Sequence, residues 1–260
     1  MHDAAKSAAR RQPSAWMVMM CVVAIIGGMG VIIVVPYYQE QRIIGKIESA
    51  GGWCQQKSDG PDWLRRLVPH DWMRFFDRVS QVNFYGAGIT DADLSDLYRL
   101  AQLEILDLGN TRVTDEGMVH LRELSNVKEL KLNETRVTDA GFAHLKGMKR
   151  LEMLVLNETS VTDAGLIHLR GLTTVKYLHL AGTAVSDEGL LHLSGFRDLT
   201  FLSLAQTCVT DAGLAHVRGF TNLYGLSLKE TGITDIGMIQ LRGMPNLKVL
   251  YLEGTSVSAQ

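Results

Sequence analysis

Cysteine is scarce in this chain, with three in 260 residues, and Cys21, Cys54 and Cys208 share no paired spacing. That excludes a disulfide framework and a zinc site built on cysteine pairs. An excess of either charge is missing too: 26 Lys and Arg stand against 28 Asp and Glu, for a net charge of -2. From residue 79 onward there are 16 Lys and Arg and 21 Asp and Glu, so that region is mildly acidic and carries no phosphate-binding stripe. Nucleic acid is not expected as a ligand. Enzyme signatures are absent as well. Ser194 and Gly195 lack the context of a nucleophile elbow, no glycine-rich phosphate loop opens a doubly wound unit, and no cysteine has a base that the sequence identifies. Neither catalysis nor a cofactor is expected.

What the chain has is a 24-residue unit starting at Val79, Leu103, Val127, Leu151, Val175, Leu199, Leu223 and Leu247, the last copy being partial. A fixed period of this length is the mark of a solenoid. Within Leu103–Leu108, Leu106 and Leu108 lie two apart and share one face of a short strand, while Ile105 and Asp107 share the other. Thr114 and Asp115 then supply a helix N-cap and an acidic first turn, and Met118 and Leu121 fall on one helical face. Gly147, Gly171, Gly195, Gly219 and Gly243 follow as left-handed C-cap candidates. Each unit therefore reads as strand, turn, short helix and return. A lone unit cannot bury its leucines, so neighbours must stack. Strands stack about 4.8 Å apart and helices about 10 Å apart, so the predicted fold is an α/β solenoid with a concave parallel sheet and convex helices.

Leu151, Leu154, Leu156 and Thr159 carry the pattern of the leucine-rich repeat, which the chain resembles from Val79 to Gln260. Thr210, Asp211, Gly213, Leu214 and Val217 resemble the cysteine-containing or F-box-associated subtype, and many bacterial repeat proteins as well. Where those carry Cys or Asn, this chain has Thr111, Thr135, Thr159, Thr183, Thr207, Thr231 and Thr255, so the resemblance implies a ladder of hydroxyls at the turn.

Trp16 to Val35 is a run of 20 residues without a charge, long enough to span a bilayer as a helix. Trp16, Tyr37 and Tyr38 flank it as interfacial aromatics, and Lys6, Arg10 and Arg11 precede it. These features predict an uncleaved signal anchor in the plasma (inner) membrane, with a cytoplasmic N-terminus and extracytoplasmic repeats. The expected organisation is a cytoplasmic tail over 1–15, a transmembrane helix over 16–35, a juxtamembrane helix and linker over 36–52, an N-terminal cap over 53–78 and repeats over 79–260. Ile43, Ile44 and Ile47 have helical spacing ahead of a stop at Gly51 and Gly52, and Trp53, Trp63, Trp72, Phe75 and Phe76 suit a cap. Pro61, Trp63, Leu64, Arg65, Phe75 and Phe76 also resemble the segment preceding the repeats in single-anchor bacterial members.

His120, His144, His168, His192 and His216 recur once per unit, on helices too far apart to share a metal ion, and read as a structural row. Asp115, Asp139, Asp163, Asp187, Asp211 and Asp235 read as helix-start residues rather than calcium ligands. Function should reside where the repeats differ. Among the varying strand positions, Met153, Val155, Tyr177, His179 and Phe201 form an apolar and aromatic patch on the concave face. The expectation is a membrane-anchored repeat protein that binds a protein partner or a surface polymer there. An adaptor of the F-box-associated kind is the alternative implied by the subtype, but residues 1–78 hold no recruitment domain. The strand at 249–252 is expected to offer an unpaired edge for self-association.

Overall fold

The structure is a computed structural model, and it describes residues 33–58, 60, 66 and 73–258. The anchor at 16–35 therefore lies almost wholly outside the described residues, as do Trp63 and Trp72 of the cap. Among the described residues, no helix is long and apolar enough to cross a membrane.

The described chain opens with helix α1 over 33–49. Glu40, Ile43 and Ile47 occupy one side of it by their three- and four-residue spacing, and all are buried. Ile43 and Ile47 join the same core as the leucines of the repeats, so this helix is part of the cap. It ends as a Schellman motif: the Gly51 N–H donates to Glu48, the Gly52 N–H donates to Ile47, and Gly51 takes φ 86°, which a side chain would strain. Strand β1 (Trp53–Ser58) follows and pairs antiparallel with β2 (Asp77–Asn83), thereby covering one edge of the sheet.

From there every strand is parallel and shifted by one repeat. Strands β3 (Ile105–Asp107), β4 (Glu129–Lys131), β5 (Met153–Val155), β6 (Tyr177–His179), β7 (Phe201–Ser203), β8 (Gly225–Ser227) and β9 (Val249–Tyr251) follow β1 and β2 in sequence order. The central leucines Leu106, Leu130, Leu154, Leu178, Leu202 and Leu226 are buried in register and point into the helical layer. The return segments are short helices of one or two turns. Asp115–Met118, Asp163–Leu166, Asp187–Leu191 and Asp235–Leu241 are α-helical, and Gly141–Gly147 is a 3-10 helix. Thr114 and Thr162 cap their helices by accepting from the N–H groups of Glu116 and Ala164 at 3.3 and 3.2 Å.

The recurring aspartates do more than start helices. Asp163 Oδ1 accepts the Ser186 N–H at 2.8 Å and Oδ2 accepts the Ser186 hydroxyl at 2.6 Å, both from the next repeat. Asp91, Asp115, Asp139, Asp187 and Asp211 do the same for Thr114, Thr138, Thr162, Thr210 and Thr234. The glycine two residues after each such Thr–Asp pair is forced by that contact. A β-carbon on Gly141 would sit 2.6 Å from Asp115 Oδ1, and Gly165, Gly189, Gly213 and Gly237 meet the preceding aspartate in the same way.

Two expectations are corrected. The threonine row does not bridge repeats: Thr111, Thr135, Thr159, Thr183, Thr207 and Thr231 each donate at 2.6 Å to the carbonyl three residues earlier, closing their own turn. Of the five proposed C-cap glycines, only Gly243 has a positive φ, at 83°. Gly147 is needed for space instead, because a β-carbon there would lie 2.7 Å from the Arg122 carbonyl oxygen.

Candidate binding surface

In-register parallel pairing turns repeat positions into columns across the sheet. One column runs Gln81, Ile105, Glu129, Met153, Tyr177, Phe201, Gly225 and Val249. Its neighbour runs Asn83, Asp107, Lys131, Val155, His179, Ser203, Ser227 and Tyr251. Met153, Val155, Tyr177, His179 and Phe201 thus lie on three adjacent strands, β5 to β7, on the face opposite the helices. Strand spacing is smaller than helix spacing, so this face is the inner one.

Tyr177 is 38% exposed, while Met153, Val155, His179 and Phe201 are half-buried. The His179 and Phe201 rings sit 5.2 Å apart and tilted by 33°. Phe201 leans toward β8, where Gly225 leaves it room: a β-carbon at Gly225 would stand 2.7 Å from Phe201 Cδ2. Burial against this ring pushes the His179 imidazole below its ordinary pKa, favouring the neutral form.

The two halves of the inner face differ in chemistry. Toward β2 it is ionic, with Lys131 Nζ 3.2 Å from Asp107, and one residue before these strands Lys128 Nζ lies 3.1 Å from Glu104. Beside the patch, Lys176 Nζ lies 2.8 Å from Glu152, which forms one wall of a hollow of about 460 Å³ lined by Lys128, Lys149, Arg150 and Asp198. Toward β9 the face carries the small residues Gly225 and Ser227 beside Val249 and Tyr251. Tyr251 is 39% exposed with Lys229 Nζ 5.1 Å from its ring centroid, and Tyr224, 48% exposed, stands one residue before β8. Sequence reasoning selected neither tyrosine. Tyr251 occupies one of the varying positions and was within reach, whereas Tyr224 lies one residue before its strand, a position the alternation rule does not assign to this face.

The histidine row lies on the helical side, partly buried, and Arg170 Nη2 contacts His192 Nδ1 of the next repeat at 2.6 Å. Among the described residues, no group of three His, Cys, Asp or Glu is placed to hold a metal ion. Val119, Ile167, Leu191 and Ile239 form an exposed apolar row beside the histidines, one per repeat where they occur.

With the geometry in place, comparison with known proteins gives the class of fold. The family described as "Leucine Rich repeat" matches residues 102–121 and 171–194. An internalin C2 from Listeria monocytogenes has a similar structure, with a TM-score of 0.52 and 22% identity over 69% of this chain and 81% of that one. An internalin, inlF, from the same organism has a TM-score of 0.48 at 20% identity, over 70% of this chain and 62% of that one. The ectodomain of the plant receptor kinase GASSHO1/SCHENGEN3 from Arabidopsis thaliana, in complex with CASPARIAN STRIP INTEGRITY FACTOR 2, has a TM-score of 0.49 at 20% identity. That match covers 70% of this chain and 25% of that one. No curated protein matches by sequence. The chain is a leucine-rich-repeat solenoid of α/β architecture.

Proposed function

We propose that this is a membrane-anchored leucine-rich-repeat binding protein, not an enzyme, whose inner sheet face holds a protein partner or a surface polymer outside the cytoplasm. One observation carries the reading. Five side chains from three repeats, drawn from positions free to vary, meet as one apolar and aromatic surface on β5–β7, and Tyr177 stays exposed at its centre. A stack needs only the inward-pointing leucines for its stability, so an aromatic patch on the outward-pointing positions is available for recognition. The charge-free run Trp16–Val35 supports the anchor, and Lys6, Arg10 and Arg11 before it support a cytoplasmic N-terminus.

Replacing Tyr177 and Phe201 together by Ala should cut cross-linked partner recovered from intact cells at least tenfold, the scale of an interface hot spot. Thermal unfolding should shift little, since neither side chain belongs to the leucine core. Undiminished recovery by a folded, membrane-inserted double variant would sink the patch assignment.

A further inference from the structure

The apolar run ends at Val35, and that residue already lies in α1, the helix that carries Glu40, Ile43 and Ile47 into the repeat core. Ile43 lies eight helical steps after Val35, a rise of about 12 Å. No flexible stretch intervenes. Other bonds hold α1 against the repeats. Glu40 accepts the Val79 N–H at 2.9 Å, and Lys46 pairs with Asp96 of the first repeat.

Next to this junction stands a cluster that the fold does not use as core. The Tyr37 ring meets Tyr38 at 5.4 Å and Phe75 at 5.0 Å, both edge-on, and the Arg74 guanidinium lies 5.5 Å from the Phe75 ring centroid. Tyr38 is 59% exposed, and Arg74 and Arg42 are exposed as well. The segment carrying Phe75 is pinned, because Arg78 Nη1 donates to the carbonyls of Phe75 and Asp77 at 2.8 and 2.9 Å. Aromatic rings with a polar tip, joined to guanidinium groups, suit the boundary between lipid headgroups and acyl chains.

We infer that Tyr37, Tyr38, Arg74 and Phe75 form a lipid-facing seat that holds the repeat domain rigidly against the interfacial region of an anionic phospholipid bilayer. This rests on the reading of residues 16–35 as a membrane span. The occupant is lipid because α1 is helical from residue 33, at the end of the apolar segment, through Tyr37 and Tyr38, and because, among the described residues there, the exposed charges Arg42 and Arg74 are cationic. The horseshoe then has a fixed attitude to the membrane, and the aromatic patch is presented at a set height above it.

The test uses the full chain with Cys21, Cys54 and Cys208 replaced by Ser, carrying a nitroxide through Tyr38→Cys, Arg74→Cys or, as a distant control, Glu123→Cys. It is reconstituted in phosphatidylethanolamine and phosphatidylglycerol vesicles. All three positions are exposed in the fold, so the labels leave the core intact. At 38 and 74, relaxation by lipid-soluble oxygen should exceed relaxation by a water-soluble nickel chelate severalfold, with the order reversed at 123. A chain that floats with the vesicles but shows nickel-dominated relaxation at 38 and 74 overturns the seat and leaves the anchor standing. Poor access to both reagents, the sign of a protein neighbour, overturns the lipid occupant. A chain that does not float with the vesicles overturns the anchor, and the seat with it.

Discussion

His179 and Glu40 give the chain two opposite responses to acid. Burial lowers the His179 pKa, so the fold prefers its neutral ring. Its contribution is complete above the ordinary histidine value of about 6.5 and is lost as pH falls from there through the lowered folded value. His179→Asn should therefore lose less thermal stability than the parent between pH 7.5 and 5. An identical pH dependence in both proteins would contradict the account. Glu40 behaves conversely. Burial raises its pKa, outweighing the Val79 N–H and the Arg78 charge that lower it. The fold therefore prefers the protonated acid, and stability falls as pH rises from the ordinary carboxyl range through the raised value. Glu40→Gln keeps an acceptor for the Val79 N–H without the charge. In urea titrations it should match the parent near pH 4 and exceed it at pH 7. At this scale the sequence disclosed which side chains share the inner face, because strand alternation is fixed. It did not disclose that Phe201 settles over Gly225 while its ring stays 5.2 Å from that of His179 on the strand to its other side, since that depends on a rotamer choice and on the space beside it.

The Thr–Asp–x–Gly segment is the element that joins one repeat to the next. Each aspartate accepts an N–H and a hydroxyl from the following repeat, and each glycine leaves room for the carboxylate of the preceding one. Asp163→Ala removes both acceptors from Ser186 and should cost about 2–3 kcal/mol. Gly189→Ala drives a methyl group against Asp163 and should cost about 1–3 kcal/mol. The two are coupled: once Asp163 is Ala, the substitution at Gly189 should cost about 1 kcal/mol less than in the parent. A double-mutant cycle by urea unfolding measures this, and strict additivity would show that the close approach is not what requires glycine. The segment itself was legible as a helix start, and the caps at Thr114 and Thr162 are where the motif puts them. The partner of the aspartate was not, because acceptor and donor stand 23 residues apart and meet only once the stacking register is set. The threonine row shows the reverse case, a ladder of hydroxyls at the turn in which each side chain turns back on a carbonyl of its own repeat.

The whole molecule is close to one-dimensional, since each repeat contacts mainly its neighbours and stability sums over units and interfaces. Excising residues 127–150 removes one full period from the ionic half, and the parallel register and aspartate ladder can close over the gap. The shortened chain should unfold cooperatively, at lower denaturant, and should still capture partner through β5–β7. Excising 175–198 should leave a folded chain of the same length that captures none. Loss of capture by both deletions would place the binding surface elsewhere or across the whole inner face. The sequence by itself determined the period, the alternation of strand faces, the short helices and the columns of varying residues, because these follow from local spacing and from the need to bury leucines that no single unit can bury. Only the tertiary structure decided that α1 packs into the repeat core as part of the cap, that the aspartates tie repeat to repeat, and that the threonine hydroxyls close their own turns. The first two outcomes depend on contacts between residues tens of positions apart, and such contacts exist only after the repeats have stacked.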